Sequence, residues 1–381
     1  MGAAQCQRET PALQWLSSQL AGRFRAAFLR EALADDAWLS QVDLDLMVFG
    51  DVPGFRPERR FAPDGTAIDL AWYPAAWLSQ PERLAAAGLA AHRLKSARLL
   101  WDVTGDALPC RQAFEDRLYQ PAVHRQRIEV LLDIGHLTVR EIGVTWDEPP
   151  LALFWLQMAH ASCLAALADA SRLGCPNIFT RPFAHLPAIE QACGAALRDQ
   201  MVNTLRLDSD PAEAETAVRA LHAQVSERYA QPRWPEAMRD VTRAEYAYHL
   251  SAEELAWRLA VAREMVAQGQ PEAAVYYLRF WAYALVRLAM VWHRAAEGQD
   301  IAFLRPEQPV RPDLARHSPE LLPLLSTALG GPLALRELQS ALARLLSLHQ
   351  FCCAFLSSRG LALAPERSWQ PHRGAPRHVD T

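Results

Sequence analysis

"VDLDLMVFG", residues 42–50, places Asp43 and Asp45 two positions apart inside an apolar run. In a strand, residues i and i+2 share a face. The two carboxylates therefore project together, while Leu44 and Leu46 turn the other way, into a core. A second apolar segment, "AIDLAWY" at 67–73, carries Asp69. If the two segments are neighbouring strands, three carboxylates converge on one sheet face. Like charges at that range oppose each other's ionisation unless a cation or a shared proton relieves them. Hard divalent cations such as Mg²⁺ do this through carboxylate oxygens. Two such ions clamp a phosphoryl or nucleotidyl group during in-line displacement.

Outward from this stretch, residues 11–22 have the spacing of an amphipathic helix, and Ala26–Leu29 ("AAFL") reads as a short strand. "GDVPGFRPERRFAPDG" (50–65) carries three glycines and three prolines and predicts a turn or long hairpin loop. "AAWLSQPERLAAAGLAAHRLKS" (75–96) predicts helix broken near Pro81, and "ARLLWDVTG" (97–105) a further strand and turn. From about Asp116 the periodicity is helical almost throughout. Leu151–Leu173 and Ser251–Gln268 are the clearest helices, and Ser251 with Glu254 forms a capping box. "DSDPAEAET" (208–216) is an acidic linker or helix start. The expected architecture is α+β: an α/β domain over 1–115, a helical domain over 116–364, and a loose Pro-, Arg- and His-rich tail over 365–381. An echo between "LALFWLQMAH…IFTRP" (151–182) and "AVYYLRFWAY…AFLRP" (274–306) raises a division of the helical part into related units, 116–207 and 217–364.

Order and content together resemble the nucleotidyltransferase fold superfamily, in particular its aminoglycoside nucleotidyltransferase-like branch. The resemblance covers roughly residues 11–110. "FLREALADDAWLSQVDLDLMVF" matches that family's strand, loop and D-x-D strand in length and texture. "IDLAWY" takes the place of its third carboxylate strand, and "ARLLWDVTG" resembles a later hhhDxxG segment. A helical bundle after the α/β domain is also typical of it. The resemblance implies that Asp43, Asp45 and Asp69 are the catalytic carboxylates and, where metal is used, the Mg²⁺ ligands. One departure matters. Glu31-Ala32 stands where the family has Gly-Ser, and Asp36 where many members carry a second glycine. Glu31 brings negative charge to the place of the nucleotide phosphates.

Three readings follow. The chain is a nucleotidyltransferase that uses Mg²⁺ and holds phosphates with other groups, Arg59 and Arg60 first among them. Its acceptor base would then come from the helical domain, with Glu129 or Asp133 as candidates. Alternatively the fold serves small-molecule tailoring without metal or nucleotide. An aspartate is then general base for an intramolecular substitution or cyclisation that expels sulfate or phosphate, and Arg30, Arg59 or Arg60 steadies the anionic group. Thirdly, it is a non-catalytic partner or scaffold, for which the many aromatic residues suit a protein partner or oligomer interface.

The composition bounds these readings. Of 381 residues 51% are apolar and 22% charged, with net charge −4, which is globular and not that of a general nucleic-acid binder. Seven cysteines form no CxxC pair, which fits reduced thiols in a cytoplasmic protein rather than a zinc or disulfide framework. The apolar stretch 275–292 contains Arg279 and Arg287, so a buried helix explains it better than a membrane span. Arg181, Arg279, Arg287 and Arg305 predict salt bridges inside the bundle or contacts to an anionic substrate group. His124, His136, His160 and His185 show no ligand spacing. His160 reads as a hydrogen-bonded core histidine, His92 as a helix residue that could flank a cleft, and Cys352-Cys353 as small apolar filler.

Overall fold

The computed structural model describes residues 3–30, 44–144, 149–175, 177–229, 234–236, 238, 243, 249–298 and 311–362. The chain forms two compact units: Met1–Ile128 with Gly174–Pro176, and Glu129–Leu173 with Asn177–Thr381.

The first unit is built on a five-stranded sheet of β1 (Phe24–Arg30), β2 (Leu44–Gly50), β3 (Arg56–Phe61), β4 (Ala67–Pro74) and β5 (Ala97–Asp102), in the order β3-β4-β2-β1-β5. β2 and β4 run parallel, and every other pair is antiparallel. Leu44, Leu46 and Val48 alternate onto one face with Ala27, Leu29, Ile68, Leu70 and Trp72. That face is closed by Ala12, Leu16 and Leu20 of α1 (Ala3–Leu20). Burying one such leucine contributes about 2 kcal/mol. α1 starts eight residues before the expected helix and carries Pro11 inside it.

The other face holds Ala26, Phe28, Met47, Phe49 and Tyr73. It packs under α2 (Pro81–Ala86), α3 (Leu89–Lys95) and α4 (Ala107–Arg117) through Leu84, Ala91, Leu94 and Phe114. Both faces of β2 are thus apolar beyond Asp45, as a parallel-paired central strand requires.

Segment 50–65 departs from the expected long loop. It contains β3, which turns back along β4 through the tight "APDGT" turn, with Gly65 at φ 82 and the Thr66 amide donating to Asp64 Oδ1 at 2.9 Å. β3 was hidden because "RPERRF" is charged, which is how an edge strand is kept from further pairing. Gly50 is required by close approach: a Cβ there would lie 2.7 Å from the Arg23 carbonyl oxygen and 2.8 Å from the Trp72 ring. The expected helix over 75–96 is a 3-10 turn at Ala75–Ser79 followed by α2 and α3, which separate at Gly88.

Arginines close helix ends in this unit. Arg111 Nη1 donates to the Leu94 carbonyl and to that of Ala97 at 3.0 Å, and Nη2 to Lys95 at 3.1 Å, which fixes the end of α3. Arg127, fully buried, donates to Ala85 and Leu118 at 2.6 and 2.7 Å. Asp102 receives the Gly105, Ala107 and Leu108 amides at 2.8, 3.1 and 3.3 Å and so anchors the start of α4.

The second unit is helical throughout its described residues. The unit boundary falls within α5 (Pro121–Val144). α6 (Pro149–Ala170), α7 (Leu186–Cys193), α8 (Arg198–Leu205), α9 (Pro211–Tyr229), α10 (Ala252–Ala267), α11 (Pro271–Ala296), α12 (Arg311–His317), α13 (Leu321–Ala328) and α14 (Leu335–Ser358) follow. α6 and α11 are long and apolar enough to cross a membrane, and they are 94% and 89% buried, so protein takes the place of lipid around them. Ser251 caps α10, its hydroxyl accepting the Glu254 amide at 3.0 Å. Asp210 receives the Ala212 amide at 2.9 Å, so the acidic segment begins α9. The Ser162 hydroxyl of α6 enters the hydrogen-bond ladder of α5, donating to Leu131 O at 2.5 Å and accepting from Gly135 N at 3.0 Å.

Arg279 was expected to find a salt bridge. Instead its guanidinium caps α8, donating to the carbonyls of Leu205 and Arg206, the latter at 2.7 Å, and to Ser209 Oγ at 3.3 Å. Burial, with Arg206 nearby, lowers its pKa to about 9. His160 is a core residue, but neither ring nitrogen has a hydrogen-bond partner among the described residues. Burial lowers its pKa to about 3 and keeps it neutral. Cys352 is fully buried, and its thiol is pushed up by the adjacent Cys163 and by burial.

Candidate functional site

The parallel register between β2 and β4 pairs Asp45 with Asp69. Register partners on adjacent strands lie about 5 Å apart with side chains on one face. The strands expected to be neighbours are neighbours, and two of the three aspartates share a row. Asp43 lies outside the described residues, as do Glu31, Ala32 and Asp36.

The row continues in both directions. On β3 the register partner of Asp69 is Arg59. On β1, Leu29 pairs with Leu46, so Arg30 stands opposite Asp45. Arg30 Nη2 meets Asp45 Oδ2 at 2.5 Å. The Arg30 side chain is 3% exposed and that of Asp45 25%, so the cation is sealed in while the carboxylate keeps an edge toward solvent. Asp69 is half-buried.

A second cation lies nearby. α3 packs on this sheet face and carries the half-buried Arg93. Burial works against the Arg93 charge, but Tyr73, Asp45 and Asp69 more than offset it, and the guanidinium pKa is raised. Tyr73 is held in turn by Phe49, Phe55 and Trp77, with ring centroids 5.8, 5.3 and 5.3 Å away. Sequence reasoning stopped at His92 and missed Arg93. The available signal was the pattern Ala90, Ala91, Leu94, which puts residue 93 on the flank of the buried helix face. His92 and Lys95 are turned elsewhere: His92 Nδ1 accepts the Cys175 amide at 3.5 Å, and Lys95 Nζ donates to Tyr119 at 2.6 Å.

Strand alternation separates Arg59 from Arg60, which had been grouped as phosphate holders. Arg60 pairs with Ile68, on the opposite sheet face from Asp69. There Arg60 bonds Glu58 at 2.5 Å, and Glu58 also receives Trp72 Nε1 at 2.9 Å. Glu129 and Asp133 lie on α5 in the second unit.

The donor set decides how well Mg²⁺ fits. Two carboxylates about 5 Å apart repel by roughly 3 kcal/mol at an effective dielectric of about 20, which a divalent ion would relieve. Here the Arg30 guanidinium already contacts one of the four oxygens. Among the described residues no three His, Cys, Asp or Glu side chains are grouped to hold a metal. With one Asp45 oxygen held by Arg30, the described residues offer Mg²⁺ an incomplete carboxylate set.

Two other features lie apart from the acid pair. A cavity of about 700 Å³ in the first unit sits at the carboxyl ends of β2 and β4, lined by Arg25, Gly50, Asp51, Pro74, Ala76 and Asp106. Asp45 and Asp69 sit toward the amino ends. In the second unit, Tyr229, His293 and Ser318 form a hydrogen-bonded node, with Tyr229 Oη to His293 Nε2 at 2.7 Å and His293 to Ser318 Oγ at 3.2 Å. The His293 ring stacks on His317 at 4.5 Å, and His317 meets Glu297 at 3.2 Å. Burial, then His317 and Arg228, lowers the His293 pKa to about 4. Ser318 is fully buried, so this Ser–His contact presents no nucleophile to a substrate and serves to join α9, α11 and the start of α13.

The chain matches no protein-family model, and no curated protein matches it.

Proposed function

We propose that the first unit is a nucleotidyltransferase-like domain turned to small-molecule chemistry without nucleotide, in the cytoplasm, with Asp45 and Asp69 as its carboxylates. The observation that carries this reading is the Arg30–Asp45 ion pair beside an in-register Asp69. Arg30 is ion-paired with Asp45 and fixes it. Asp69 is the general base. It removes the proton from a hydroxyl or amine of the substrate. The heteroatom's electron pair forms a bond to a carbon of the same molecule. The C–O bond to sulfate or phosphate breaks, and its electron pair leaves with the anion. Arg93, and Arg59 as the register partner of Asp69, are the cations at hand for that anion. Holding both reacting groups in one site makes the substitution unimolecular, the arrangement that lowers such barriers most.

Metabolite profiling of cells carrying Asp69→Asn tests this. One product present with the native protein should vanish, with the variant folded and at native abundance. An unchanged profile would sink the reading.

Parallel register between the two aspartates also favours a second reading, Mg²⁺-dependent nucleotidyl transfer. Calorimetric titration with ATP and Mg²⁺ separates the two. Binding that Asp45→Asn and Asp69→Asn each abolish would replace the first reading with the second.

A further inference from the structure

The Asp45–Asp69 pair raises a question that does not depend on any reaction: what neutralises it. A resident metal is the expected answer for two carboxylates on adjacent strands. The geometry points to another, and we propose that Arg30 is the resident cation of the pair, that it excludes a divalent cation from it, and that removing Arg30 turns the pair into a divalent-cation site.

The case rests on placement. Arg30 ends β1, and the antiparallel register sets it opposite Asp45. Its side chain is buried and in contact with Asp45 Oδ2 at 2.5 Å. A guanidinium is a cation at neutral pH. Arg30 lies between β2 and β5, paired with Ala97 on the far side. A metal would have to displace a buried, ion-paired group or approach beside it. α3 packs on the same face, its end gripped by Arg111 through the carbonyls of Leu94, Lys95 and Ala97. The cation therefore belongs to a rigid element rather than to a side chain free to swing away.

Mn²⁺ titration, read as free Mn²⁺ by electron paramagnetic resonance, tests the proposal on the full chain. The native protein should show no site tighter than about 1 mM that depends on Asp45 or Asp69. R30Q should gain a site at least about tenfold tighter, and R30Q with D69N should lose it. Native binding that D45N or D69N abolishes would overturn the proposal. Native binding indifferent to both variants places the ion elsewhere and supports exclusion from the pair. A folded R30Q that gains nothing overturns it. If R30Q does not fold by circular dichroism, R30M takes its place: a new site there that D69N removes supports the proposal, and none overturns it. Because the readout is ion binding, failure here leaves general-base chemistry at Asp69 to be judged by its own products.

Discussion

Arg30 in the first unit and Arg279 in the second are both buried guanidinium groups, and the protein answers them differently. Arg30 meets a side-chain carboxylate that keeps an edge to solvent and lies next to a second carboxylate. Arg279 meets the carbonyls that end α8 and one hydroxyl. Backbone carbonyls at a helix end have no other partners, so a cation there completes the fold. Arg111 and Arg127 do the same in the first unit. A charged pair flanked by a like charge completes nothing that a simpler arrangement could not, and apolar residues often replace such pairs without loss. The difference separates arginines that hold the fold from those that prepare a site.

The comparison breaks most visibly at Arg279. Arg279→Met should lower the unfolding free energy of the second unit by about 3–5 kcal/mol in urea, because buried carbonyls lose their donors. A loss under about 1 kcal/mol would show that the carbonyls were not depending on it. Next comes Asp45→Asn, expected to cost about 2–3 kcal/mol by removing the carboxylate in contact with buried Arg30. Arg30→Met added to Asp45→Asn should recover part of that loss, and strict additivity would mean the two side chains are uncoupled.

His160 sharpens the contrast as a third case, a buried base with neither carboxylate nor carbonyl, which gives up its charge. Its folded pKa, about 3, lies below the ordinary 6.5. The unfolded state therefore binds the proton first as pH falls. This contribution to stability is complete above pH 6.5 and is lost progressively from there toward pH 3. The slope is about 1.4 kcal/mol per pH unit, and His160→Leu should remove one proton's worth of it from urea midpoints measured across that window. The smallest expected effect is at Asp69. Asp69→Asn removes a like charge from beside Asp45 and should change stability by less than about 1 kcal/mol, while ending turnover. A large destabilisation would assign Asp69 to the fold instead.

Much of this was legible in the sequence for a simple reason. β1, β2, β4 and β5 are apolar runs, and Ser251 is a cap with a side-chain oxygen at the right place. That Asp45 and Asp69 share a face followed from alternation, once the strands were taken as neighbours. What was not legible depended on register or on distance. Nothing in "FLR" announces that Arg30 will stand opposite Asp45 until the hairpin-like pairing of β1 with β2 is known. β3 was concealed by its charges, and Arg59 and Arg60 could not be told apart before its register fixed which one pairs with Asp69. Arg279 was matched to a carboxylate because charge patterns are visible in a sequence and helix-end carbonyls are not.

The Ser162 hydroxyl of α6 bridges the Gly135 amide and the Leu131 carbonyl, four residues apart on α5. The Gly135 amide, in the middle of one helix, thus meets a side chain of another. Parting of α6 from α5 removes that acceptor and should speed the exchange of this hydrogen. One amide therefore keeps time for the parting of two helices, whatever the fraying at their ends.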